Sequence, residues 1–271
     1  MLIFVARALP ADVLIVKLRP ATVAAWDRYY GWADQKISRE IADPGRFLIA
    51  DHLPPRQKAE IEQKVRAGEI VTQRVTGGVV PRNERFEVPE GEIHHVWGSV
   101  FIPNVRMPEL MRFLQDYDHH AGKFADVERS RLLSRNGDNF RISYRLSRSK
   151  AFVTAVYSTE QEASYVTLDS RRVFGRSRAT KICELEDPGT PGEKERSAGD
   201  DRGFLWRLVS WWRYQETDLG VTIECESASL SRDVPRVVDW IPGVGSYIRS
   251  TPLESLRSVL ASIRANFARP K

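Results

Sequence analysis

Cysteine is scarce: the 271 residues contain two, Cys183 and Cys225. Two are too few for a disulfide framework, and their spacing fits no zinc motif. Long apolar runs are also missing. No stretch of 18 consecutive apolar residues occurs, so the sequence offers no candidate transmembrane helix. Charge of one sign is not concentrated anywhere. The net charge is +5, but Lys and Arg are mostly interleaved with Asp and Glu, and the densest basic stretch, RRVFGRSRATK at 171–181, reads as the solvated face of a strand. A nucleic-acid binder would show a stripe or a run, so no nucleic-acid partner is expected. Catalytic signatures are absent as well: there is no GxSxG elbow, phosphate loop, dinucleotide fingerprint or zinc spacing. Neither a cofactor nor a metal is expected.

Aromatic residues, by contrast, are abundant, with 7 Trp, 8 Tyr and 11 Phe in a chain that is 42% hydrophobic. That suffices for one large core, and aromatic interiors often line a space as well as fill it. The first 19 residues read as the remains of an apolar export segment, interrupted by Arg7 and Asp12, which leaves the compartment open between cytoplasm and export. Residues 20–88 read as a helical region and a junction. One helix covers 20–45, with Val23, Trp26, Tyr30, Ala33 and Ile37 at helical spacing; a second covers 55–67, with Pro55 near its start and Gly68 at its end.

From residue 89 to 268 the pattern changes. IHHVWGSVFI is a strand, PELMRFLQDYDHHAGKF a helix opening at Pro108, and strands follow at 127–135, 139–148, 151–159, 163–169, 171–186, 204–216 and 221–231. The polar stretch 187–203 reads as a mobile loop. A last helix is expected to open at Thr251, with Pro252 at its first position and Glu254 closing a capping box. The fold class is therefore α+β: a curved antiparallel sheet wrapped on a long C-terminal helix, with a small N-terminal helical region. Sheet and helix leave an elongated space between them.

Four of the five histidines come in two pairs, His94–His95 and His119–His120. Neighbours on a strand point to opposite faces, and neighbours on a helix lie about 100° apart, so neither pair chelates one ion. His95 shares a face with Ile93, Trp97 and Phe101. It is expected hydrogen-bonded at the mouth of the space, with the other histidines solvated.

The strands 204–216 and 221–231 are the most informative. One face of the first carries Phe204, Trp206, Leu208, Ser210, Trp212 and Tyr214; the other carries Arg207, Val209, Trp211 and Arg213. A tight connection over Thr217 to Gly220 sets Tyr214 opposite Ile223, Trp212 opposite Cys225, Arg213 opposite Glu224 and Trp211 opposite Glu226. Two readings stay open. Either the aromatic face looks inward and the Arg–Glu ladder is exposed, or part of that set, with Glu184 and Arg232, is buried and orients a polar ligand head. Cys183 and Cys225 fall on strands flanking 204–216. Their backbones would lie roughly 9.6 Å apart, beyond the reach of a disulfide, so free thiols are expected. The segment 234–250, with Trp240, Ile241 and Tyr247, reads either as a packed connector or as a lid or membrane-touching tip.

The stretches IHHVWGSVFIP, YDHHAGKFADVERSRLLSRNGDNFR, GFLWRLVSWWRYQE, ECESASLSRDVP and STPLESLRSVLASIR resemble a bacterial group of the START-like, or SRPBCC, superfamily over about residues 90–268. The resemblance implies a helix-grip fold like that of polyketide cyclases and lipid-transfer START domains. It implies no single function, because carriers, cyclases, hydrolases and assembly factors share that scaffold. The first expectation is a carrier of a hydrophobic small molecule, lipid or isoprenoid-like, with transient membrane contact. Its wall is expected to include Trp97, Phe101, Tyr144, Trp206, Trp212, Tyr214, Ile223, Trp240 and Tyr247, with Arg207, Arg213 and Glu226 as polar contacts. A cyclase-type enzyme using His95, Tyr144 or Glu224 to move protons is the second expectation, and an assembly factor the third.

Overall fold

The computed structural model describes residues 15–75, 86–150, 153–233 and 244–268. In chain order these form β1 (Val16–Lys17), α1 (Pro20–Ile41), α2 (Pro55–Arg66), β2 (Val71–Arg74), β3 (Gly91–Pro103), α3 (Met107–Leu114), β4 (Val127–Asn136), β5 (Asn139–Lys150), β6 (Val153–Thr167), β7 (Arg172–Glu186), β8 (Lys194–Glu195), β9 (Asp200–Asp201), β10 (Arg207–Thr217), β11 (Gly220–Arg232) and α4 (Val244–Phe267). Single 3-10 turns lie at Ile49–His52 and Tyr117–His119. None of the described helices is long and apolar enough to cross a membrane.

The main sheet is antiparallel throughout, in the order β2-β3-β11-β10-β7-β6-β5-β4. The register of β10 on β11 follows from alternation: Tyr214 faces Ile223, Trp212 faces Cys225, Arg213 faces Glu224 and Trp211 faces Glu226. Cys183 and Cys225 lie on β7 and β11, either side of β10, and both are buried free thiols.

Both faces of this sheet are covered. On the inner face α4 lays Leu256, Leu260 and Ile263 against Val96 and Val100 of β3 and Ile223 and Cys225 of β11. On the outer face α1 lays Trp26, Tyr29, Ala33 and Ile37 against Val209, Trp211, Ala228 and Leu230. The turn at 49–52 and α2 extend that layer over Trp97.

Close approach of α4 depends on Gly98. A Cβ there would lie 2.8 Å from Leu260 Cδ1, 2.9 Å from Thr72 Cγ2 and 2.9 Å from the Val71 carbonyl oxygen. Backbone on one side and core on the other leave little room to yield. Gly98→Ala is expected to cost about 1–3 kcal/mol, read as a lowered urea midpoint; an unchanged midpoint would mean that β2 and α4 move apart freely.

Several elements differ from the sequence expectation. The strands at 151–159 and 163–169 are one strand, β6, because a register shift at Glu160/Gln161 absorbs the polar interruption. The helix after Pro108 stops at Leu114 and gives way to a 3-10 turn. The stretch 187–203 is not simply a loop: β8 pairs with β7, and β9 pairs with β1. The last helix begins at Val244, not Thr251, so Pro252 lies inside it. Proline lacks the N–H that would bond the carbonyl one turn back.

Candidate functional site

Between the sheet and α4 lies a cavity of about 320 Å³. Alternation on the strands builds its floor. Ile142, Tyr144 and Leu146 come from β5, Tyr157, Ala163 and Tyr165 from β6, and Leu208, Ser210, Trp212 and Tyr214 from β10. α4 contributes Tyr247, Ile248, Thr251, Leu256 and Ile263, and the turn after α3 closes one side with Tyr117 and His120. The volume falls at the lower end of small-molecule sites, which are mostly apolar with a few placed polar groups.

Those polar groups are largely paired. Tyr117 and Tyr165 hydroxyls lie 2.9 Å apart. His120 Nδ1 lies 2.9 Å from Tyr144 Oη, and the two rings stack at 16°. Burial, aided by Lys123, pulls His120 down to about 4, so its ring is neutral near pH 7. Burial also holds Tyr144 well above its ordinary value. The pair is thus a neutral donor and acceptor facing an apolar space. Ser210 donates to Ser227 at 3.0 Å, and Ser227 donates to the Val209 carbonyl at 3.2 Å. At the rim, Arg148 is held by both oxygens of Asp126 at 3.0 Å and by Glu254 at 3.3 Å.

The outer face carries a different assembly. Arg213, without solvent exposure, reaches Glu40 of α1 at 2.6 Å and the Phe47 carbonyl at 3.1 Å. Lys36 bridges Glu40 at 3.0 Å and Glu226 at 3.3 Å. His95 Nε2 lies 2.9 Å from Glu226 Oε1, and its Nδ1 lies 2.6 Å from Tyr29 Oη. Burial and the charge of Glu226 keep Tyr29 protonated. Burial alone would raise Glu226, but His95, Lys36 and Arg213 outweigh it and hold the carboxyl at about 2. Glu224 accepts from the Ile49 N–H at 2.5 Å and lies 3.4 Å from the Ala50 N, tying the 3-10 turn to the sheet. These charges are paired on the sheet face opposite the cavity floor.

Set against the sequence expectations, Tyr144, Trp212, Tyr214 and Tyr247 stand on the cavity wall. Ile223 shares their face but is buried in the core beneath α4. Trp97 and Phe101 lie on the other face, against α2 and the 49–52 turn. Trp206 also misses the cavity. It precedes β10, where strict alternation no longer holds, and its Nε1 donates to Asp201 at 2.9 Å beside the outer cluster. Arg207, Arg213, Glu224, Glu226 and His95 all belong to the outer face, so His95 is hydrogen-bonded but not at the mouth of this cavity; it lines a separate recess with Tyr29 and Phe86. The aromatic face looks inward and the Arg–Glu ladder outward, so no part of that set enters the cavity; the ladder is nevertheless buried, because α1 covers it. Glu184 is buried on Arg202, separately from that set. Trp240 and Ile241 lie outside the described residues.

Of the histidines expected in solvent, only His119 is exposed, bonded to Asp116. His94 is buried on the inner face, donating from Nε2 to Ser231. With Tyr117, Tyr157, Tyr165 and Thr251, His120 is one of the cavity residues that sequence reasoning missed. Reading 108–124 as one helix hid the turn that aims its ring inward. The aromatic neighbours Tyr117 and Phe124, at i−3 and i+4, were the available signal.

One curved antiparallel sheet closed over a long C-terminal helix, with a cavity between them, is an α+β helix-grip arrangement. No protein-family model matches the chain, and no curated protein does. Solved structures of similar shape include a STAR-related lipid transfer protein from Xanthomonas axonopodis (13% identity, 68% of this chain and 96% of that one, TM-score 0.46). An aromatase/cyclase from a Streptomyces species aligns over 66% of this chain and 95% of its own at 12% identity and TM-score 0.43. A START superfamily protein from Mycobacterium smegmatis aligns over 64% and 96% at 10% identity and TM-score 0.38.

Proposed function

We propose that the protein binds a hydrophobic small molecule, lipid or isoprenoid-like, in the space between the sheet and α4, and carries it. The observation behind this reading is the cavity itself: about 320 Å³ walled mainly by aromatic and aliphatic side chains. An interior that served only stability would close such a space, because voids in a core cost free energy. Native mass spectrometry of the purified chain, followed by solvent extraction, tests it. A stoichiometric hydrophobic adduct is expected. A bare mass that stays bare after incubation with a lipid and polyketide panel would overturn the carrier reading.

One observation favours a second reading, cyclase-type chemistry: the neutral Tyr144–His120 pair faces the cavity at hydrogen-bond distance. A panel compound that returns chemically altered from the same extraction would move the assignment from carrier to enzyme.

A further inference from the structure

Given a ligand in this cavity, we propose that it is electrically neutral and presents a carbonyl oxygen, as in a ketone or quinone, to the Tyr157 and Thr251 hydroxyls. Two independent features lead there.

The first is the supply of charge on the wall. Among the described residues the charged side chains there are Asp126, Arg148 and Arg176. Arg148 already has its charge paired with Asp126 and Glu254 through its two terminal nitrogens, although its Nε is unbonded among the described residues. Arg176 turns to the outer face, 3.0 Å from Asp34 and over the Tyr30 ring. His120 is neutral. Among the described residues, a carboxylate or phosphate inside would therefore meet no cation whose charge is not already paired, which is strongly unfavourable.

The second is a pair of hydroxyls with nothing to bond. Tyr157 Oη and Thr251 Oγ1 are buried without a hydrogen-bond partner among the described residues, and Tyr157 is only 5% exposed. Both residues stand on the cavity wall. Tyr157 packs with Tyr247 and Ile248, one turn before Thr251 on α4, so the two belong to the same end. A buried hydroxyl left unbonded is costly, and two that donate toward one space suit an oxygen with two lone pairs. Stacked Trp212 and Tyr214, 3° from parallel, give the rest of such a molecule a flat apolar wall.

The test uses the full chain and two probes of one shape, anthraquinone and anthracene-2-carboxylate, titrated by tryptophan quenching. The quinone is expected to bind at least tenfold more tightly. Tyr157→Phe is expected to weaken quinone binding about tenfold while leaving the Tm of the unliganded protein unchanged or higher, since an unbonded hydroxyl is removed. Thr251→Val, with little change of shape, is expected to act in the same direction. A purely structural tyrosine would lower the Tm and leave the quinone preference alone. Equal or tighter binding of the carboxylate, or full quinone affinity in both variants, overturns the neutral-carbonyl inference and leaves the hydrophobic-ligand reading standing. Failure of both probes to bind, with a bare native mass, takes both readings down.

Discussion

Replacing Arg213 by alanine lowers the unfolding free energy by an expected 3–5 kcal/mol or so, the loss typical of removing one partner from a buried ion group. Arg213 has no solvent exposure, and its guanidinium serves Glu40, the Phe47 carbonyl and Glu226 together. Without it, Glu226 keeps Lys36 and His95, but Glu40 keeps only Lys36. The turn that holds Glu224 loses its neighbouring anchor as well. Water cannot readily replace these contacts, because Trp211 and Ile37, both buried, flank the site. Arg141→Ala supplies the contrast. Its partner Glu160 is an exposed one, and less than about 1 kcal/mol is expected. Urea unfolding at pH 7 measures both. A loss below 1 kcal/mol for Arg213→Ala would mean that solvent enters beneath α1.

The second large effect is one of pH. Burial pushes Glu224 up to about 7, with Arg213 and the Ile49 and Ala50 N–H groups pulling down and Asp51 adding to the rise. The folded chain therefore keeps this proton to a higher pH than the unfolded chain, whose ordinary value is 4.5. Protons bound more tightly by the folded state stabilise it at low pH. The contribution is full below pH 4.5 and is lost as pH rises through 7. Glutamine holds the same acceptor oxygen and cannot ionise. The stability of Glu224→Gln relative to the parent should thus improve by about 3 kcal/mol between pH 4.5 and 8. Other shifted groups work in the same range: His94 and His120, both drawn down to about 4, lose stability as pH falls from 6.5. They are common to both proteins and cancel in the difference. Parallel urea curves at pH 4.5, 6 and 8 give the answer; a gap that does not change with pH would show that Glu224 is ionised throughout.

Legibility of the sequence divided along a physical line. Alternation on β10 and β11 is a local property with a strict period, and it carried the pairing of Trp212 with Cys225 and Arg213 with Glu224 without error. It also put Trp212 and Tyr214 on the cavity side. What covers the opposite face is not local. Arg213 and Glu40 are 173 residues apart, and nothing in the strand pattern says that a helix docks there. Charged residues in alternation look the same whether water or another helix faces them, so Glu224 and Glu226 could be paired in sequence, but neither they nor His95 could be placed in depth. The missed features at residue scale have the same origin. Pro252 reads as a helix start, yet α4 continues through it because cavity and core contacts on both sides hold the turn. His120 sits in a turn too short to have a period at all.

The β10 strand has no side that belongs to solvent. Leu208, Ser210, Trp212 and Tyr214 answer to the cavity, while Val209, Trp211 and Arg213 answer to α1. Position parity along this one strand therefore separates two kinds of constraint, cavity lining on the even numbers and helix docking on the odd. Either could drift in sequence without the other, so the shape and polarity of the cavity wall can change here while the N-terminal layer stays as it is.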